Sequence, residues 1–162
     1  MLLTLGVLAF ATLLPPSTAN NPCDNYTQNI WDPRFTPGQK WQYRSRTVDK
    51  GSTLTITKID NVPGIGIVVH IVVDHITFRY PPELHGGLIE GQTLSLAMRR
   101  DSLDASVIKM LGIVETSTND DYKKWQTNCG ALTYATTVAD TVKILQDEYQ
   151  ADIIKLNQAS KP

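Results

Sequence analysis

Three histidines and one carboxylate are the residues best suited to chemistry in this chain. His70, Asp74 and His75 lie close together, and His85 follows in a glycine-rich segment. A histidine oriented by a carboxylate is the working unit of general-base catalysis and of the outer shell of metal sites. Residues four apart on a strand share a face, so Asp74 is expected on the side of His70, with His75 pointing elsewhere. A hydrolase or metal-dependent enzyme would be built on His70, Asp74 and His85. Against this stands the setting of His70 in the apolar run 67–73 (IVVHIVV). There, a histidine bonded to one backbone or hydroxyl partner is the commoner arrangement, and the spacing matches no zinc or metalloprotease signature. No metal and no cofactor is expected.

The other reactive side chains are weaker candidates. Cys129 paired with His70 would need a free, activated thiolate. Ser102 and Ser106 lack a Gly-x-Ser-x-Gly elbow. Gly64-Ile65-Gly66 lacks the third glycine and the following helix of a dinucleotide fingerprint, and reads as turn punctuation. Arg44 and Arg46 share a face with Gln42, where guanidinium forks suit carboxylates or phosphates. A solvated strand face that resists edge pairing is the plainer account. Trp41, Tyr43, Tyr122 and Trp125 read as packing aromatics. Asn25-Tyr26-Thr27 is a glycosylation acceptor pattern, which has meaning only in a eukaryotic source.

The elements that must position these residues follow from periodicity and punctuation. Residues 20–38 are turn-rich and read as an irregular arm. From 40 to 48, Trp41 and Tyr43 alternate with Gln42, Arg44 and Arg46, the pattern of a half-exposed strand. Asp49-Lys50-Gly51 turns the chain into the β-branched run 52–60, which predicts an antiparallel hairpin. The run 67–73 is apolar on both faces and reads as a central strand. Asp74-His75 is expected as a tight turn and 76–80 as a fourth strand, ended by Pro81-Pro82. Residues 83–92 are expected to form a long loop, and such loops are often functional. Helices are expected at 102–111 (Leu103, Val107 and Leu111 on one face), 120–128 (capped by Asn119 or Asp120) and 137–149 (Val138, Val142, Leu145 and Tyr149 in one stripe). The fold class is thus α+β: an antiparallel sheet of about four strands (39–80), then about three helices, in one domain over 39–150 with a tail at 151–162.

Compartment and partner class follow from the termini and the charge. Residues 1–19 are apolar and uncharged, end in Pro15-Pro16-Ser17-Thr18-Ala19, and are expected to be a cleaved secretory signal. The mature chain is then periplasmic or secreted, without a membrane span. A net charge of −1 gives no basic footprint for nucleic acid. The two cysteines, Cys23 and Cys129, invite pairing in an oxidising compartment, the alternative being two unrelated thiols. A bridge would close a loop of about 100 residues and contribute about 4–5 kcal/mol on the chain-entropy model.

Several segments resemble a family of small, functionally uncharacterised bacterial proteins. They are the opening hairpin Pro37-Gly38-Gln39-Lys40-Trp41-Gln42-Tyr43-Arg44-Ser45-Arg46 with Ser52-Thr53-Leu54-Thr55-Ile56, then Val69-His70-Ile71 with Asp74, and Leu103, Ala105-Ser106-Val107, Tyr122, Trp125 and Val138-Ala139-Asp140 in the helical half. The turn after the central strand departs from the family's usual Asp-Gly, and the cysteine pair is not a family feature. The resemblance implies a single α+β domain and no reaction. Absence of an assembled catalytic motif favours a non-enzymatic protein that binds a protein partner in the cell envelope, such as an inhibitor or immunity-type partner. The expected surface is the 83–92 loop, including His85, with Arg44, Arg46 and Tyr80.

Overall fold

The computed structural model describes residues 26–84, 86–117, 119–128 and 132–159. The expected leader, the start of the arm, Cys23, Cys129 and His85 lie outside the described residues. The fold is α+β. Its strands are β1 (Thr27–Gln28), β2 (Gln39–Tyr43), β3 (Thr53–Val62), β4 (Gly66–Tyr80), β5 (Gly87–Arg99), β6 (Val107–Ile113) and β7 (Thr133–Tyr134). Its helices are α1 (Arg100–Ser106), α2 (Asp120–Thr127) and α3 (Val138–Ala159). One sheet of seven strands runs in the order β6-β2-β3-β4-β5-β7, with β1 pairing the far end of β3. Every pairing is antiparallel except the short parallel contact of β7 with β5.

The sheet is larger than the four strands expected, for three physical reasons. Asp74-His75 is not a turn. Val73 pairs with Leu94 and Ile76 with Gln92, so β4 carries one extra residue there, with His75 at φ 60°. That is a β-bulge, and β4 continues through it. A second bulge, at Gly91 (φ 72°) of β5, restores the register. The expected 83–92 loop therefore shrinks to a short connection through the 3-10 turn Pro82–Leu84, and most of it is strand. Finally, the expected helix 102–111 stops at Ser106. Val107 leaves it with extended backbone (φ −76°, ψ 148°), and β6 pairs the open edge of β2. Tertiary pairing overrides the helical period here, aided by the β-branched Val107 and Ile108. The first strand is also shorter than expected, because Asp49 N–H bonds the Arg46 carbonyl and turns the chain before Val48. Helix α3, by contrast, runs past 149 to Ala159.

Parity explains how the sheet builds two different faces. Leu54 and Ile56 of β3 point into the main core, but so does Ile59. Between them Ile56 pairs with Ile71 and Lys58 with His70, so Thr57 is an extra residue and the strand changes parity. The main core takes Val69, Ile71 and Val73 of β4 with Leu96 and Met98 of β5, under Leu103, Val138 and Val142. Each such side chain is worth about 1.5–3 kcal/mol on burial. The opposite face receives Lys58, Asp60 and His70, and α2 covers it through Tyr122 and Trp125 beside Val62, Val68 and Ala97, with Tyr26 and Ile65 packed at the margin.

Candidate functional site

The carboxylate that meets His70 is Asp60, not Asp74. Four residues along a strand span about 13 Å, so a shared face does not bring Asp74 to His70. Asp74 instead accepts a hydrogen bond from Thr93 Oγ1 at 3.0 Å, on the β5 side. Asp60 sits on the neighbouring strand, fully buried, with Oδ2 at 3.2 Å from His70 Nε2. That contact lies off the imidazole N–H axis, so buried Nε2 has no aligned hydrogen bond. Asp60 also accepts from the Asn29 N–H at 3.1 Å and the Tyr122 hydroxyl at 3.0 Å. Burial is the largest influence on this carboxyl and pushes its pKa up, but His70, the Asn29 N–H and the Tyr122 hydroxyl together hold it below the ordinary range. Burial and the Asp60 charge in turn push the Tyr122 phenol well above its usual value.

Around this pair the side chains form an aromatic box. The His70 ring meets Trp125 edge-on at 4.3 Å and Tyr122 at 4.8 Å between centroids. Lys58, buried on the same face, holds its ammonium 4.1 Å over the Tyr122 ring and donates to Gln28 at 3.0 Å. The buried charges are therefore each answered by a partner, as a low-dielectric site requires. Helix α2 is fixed by the Asn119 cap, which accepts from Tyr122 N–H at 3.1 Å, as the sequence pattern predicts. A pocket of about 190 Å³ remains between α2 and the sheet, with His70 in its wall. Among the described residues no three His, Cys, Asp or Glu side chains gather as metal ligands.

The remaining expected residues are scattered. Arg46 spends its guanidinium internally, on Asp49 at 2.6 and 3.0 Å, Gln146 at 2.9 Å and the Thr77 carbonyl at 2.8 Å. Arg44 is exposed, with its guanidinium on the Ala105 carbonyl and its N–H on Ser106 O at the root of β6. Tyr80 is exposed at the end of β4. Ser106 is a structural hydroxyl: it is buried, donates to Ser102 O, and accepts the first N–H of α3 at 3.0 Å.

One surface escaped the sequence reading altogether. Among the described residues strand β6 ends the strand order, and none of them pairs its outer backbone edge. Ile108, Met110, Leu111 and Ile113 are all exposed, Ile113 to 76%, and Val114 extends the row. Two bulges, at Ile108 and Leu111, curl the strand against β2. Gly38 closes its far end: Gly38 O accepts from Val114 N–H at 2.8 Å, and a Cβ at Gly38 (φ +93°) would stand 2.8 Å from the Val114 carbonyl. The signal was present in 107–114 (VIKMLGIV), whose apolar residues are too continuous for a one-sided helix.

No protein family, curated protein or solved structure matches this chain. No helix among the described residues is long and apolar enough to cross a membrane.

Proposed function

We propose that this is a non-enzymatic binding protein of the cell envelope or the secreted fraction, and that β6 is its docking edge for a protein partner. One observation carries the reading: a strand with an open backbone edge exposes four large apolar side chains in seven residues. Edge strands in soluble proteins are ordinarily blunted by charge or proline, and contiguous exposed apolar patches mark interaction sites. Here Lys109 is the single charge within β6. The bulges curl the strand, which disfavours open-ended stacking while leaving its side chains free to dock. Exposed Arg44 at the root of β6 adds a polar rim, whereas Arg46 is committed to internal partners. An export signal at 1–19 and a bridge between Cys23 and Cys129 fit the same setting.

The test is capture by the chain from Asn20 onward, made under oxidising conditions, from a periplasmic or secreted fraction. One stoichiometric protein partner is expected, lost in the double variant Met110→Lys/Ile113→Lys and retained in His70→Ala. Capture that survives the β6 variant, or none by folded protein, overturns the reading.

A further inference from the structure

The pocket beneath α2 belongs to no part of the proposed docking edge, and the way it is built points to a small ligand. Strand β5 reads Leu94-Ser95-Leu96-Ala97-Met98: its large residues enter the main core, and its small ones face α2. Across from them, α2 is held by polar tethers more than by packing. Asn119 Nδ2 bonds Ser95 Oγ, Tyr122 donates to Asp60, and Trp125 Nε1 donates to Thr133 Oγ1 at 3.0 Å. The helix contributes only Tyr122 and Trp125 to burial. Small residues below and tethers above leave the gap of about 190 Å³.

Size, shape and charge select the occupant. An apolar cavity of about 150 Å³ accepts a benzene ring, so this one fits a single ring with a small substituent. Its wall combines the Trp125 and Tyr122 aromatics with the His70 ring, which is more than nine-tenths buried and turns its Nε2 toward Asp60. Flat faces and positive ring edges favour a planar aromatic guest in stacked or edge-on contact. The charges at the mouth, Asp121 and Lys124, pair with each other at 3.6 Å, so the ionisable lining at the rim sums to no net charge. Ser95 Oγ, which accepts from Asn119 Nδ2, keeps its own O–H for one polar substituent. We infer that the gap between α2 and the β4–β5 face is a binding site for a neutral, monocyclic aromatic or heteroaromatic molecule bearing one polar group.

Phenol is the probe, titrated into the ¹⁵N-labelled chain with amide and indole shifts as the readout. Saturable shifts are expected at His70, Ala97 and the Trp125 indole, with cyclohexanol (similar size, not flat) and benzoate (charged) binding more weakly. Filling the floor with Ala97→Leu should weaken phenol about tenfold or more, the scale of a methylene-sized change in a pocket. Should that variant lose its fold, Leu132→Glu provides the second arm. Leu132 lines the mouth and is 62% exposed, so the change leaves the core intact while making entry polar. Shifts that never saturate or map elsewhere, or phenol binding unchanged in a folded variant, would overturn the site. The β6 double variant should bind phenol as the parent does, so failure of the docking reading leaves this one standing.

Discussion

The face beneath α2 and the edge at β6 are built on opposite terms. Beneath α2, charge is buried: Lys58 and Asp60 lie by two aromatic rings, each held by hydrogen-bond partners, with the His70 ring beside Asp60. At β6, apolar surface is exposed: Ile108, Met110, Leu111 and Ile113 face outward beside a backbone edge that no described strand pairs. Both arrangements are costly in an isolated domain. The first is offset internally, by hydrogen bonds that tie α2 to the sheet. The second has no internal offset among the described residues, and the proposed docking rests on that difference. Unmatched apolar surface is therefore the better guide to an external partner here than the cluster of ionisable groups.

The strongest break in that comparison is Asp60→Ala. It strands the buried Asn29 N–H and Tyr122 hydroxyl and removes the carboxylate beside His70, and should cost about 3–5 kcal/mol in chemical denaturation. Asp60→Asn keeps the shape and should cost less than half of that. Tyr122→Phe removes one hydrogen bond to a charged acceptor and should cost about 1.5–3 kcal/mol, loosening α2 in hydrogen exchange before the rest of the chain.

Acid sharpens the same contrast. Asp60 and Asp32 both have folded pKa values below the ordinary carboxylate range. At Asp32 burial again pushes up, but the Phe35 and Arg34 N–H groups and Arg100 outweigh it. The unfolded chain therefore binds more protons near pH 4. Their contribution is full above the unfolded pKa of about 3.9 and is lost as pH falls through the lowered folded values. A urea series from pH 7 to pH 3 should show constant stability to about pH 5 and a decline below; a flat profile would contradict the pairing. Capture by the apolar β6 edge should change little with salt over the neutral range.

The smallest effect is the most informative. Met110→Lys/Ile113→Lys alters exposed positions and should shift stability by only about 0.5 kcal/mol per site, as thermal melting would report. It should nonetheless abolish partner capture.

How much of this was legible depended on whether the deciding contact was local. The opening hairpin, the Asn119 cap with Tyr122 and Trp125, and the α3 stripe rest on contacts within a few residues, and periodicity finds them. The Asp74-His75 bulge was misread because its length is set by the partner strand: only pairing with β5 distinguishes an inserted residue from a turn. The helix-to-strand switch at Val107 has the same origin, since the open edge of β2 lies more than sixty positions upstream. The site suffered likewise. The spacing pairs His70 with Asp74 along its own strand, whereas the carboxylate beside it is Asp60 of the neighbouring strand. Counting back across the turn at Pro63-Gly64 brings Asp60 to the row beside it, a relation the hairpin makes available once register is considered. The β6 edge is hidden from periodicity because Leu103, Val107 and Leu111 also fit one helical face.

The most direct test of the central claim is amide hydrogen exchange, read by mass spectrometry, on the chain alone and in complex with its captured partner. Marked new protection across 107–114, with little change at 81–92, is the predicted result. Protection confined to the β4–β5 connection or to α2, with β6 exchanging as in the free chain, would contradict it.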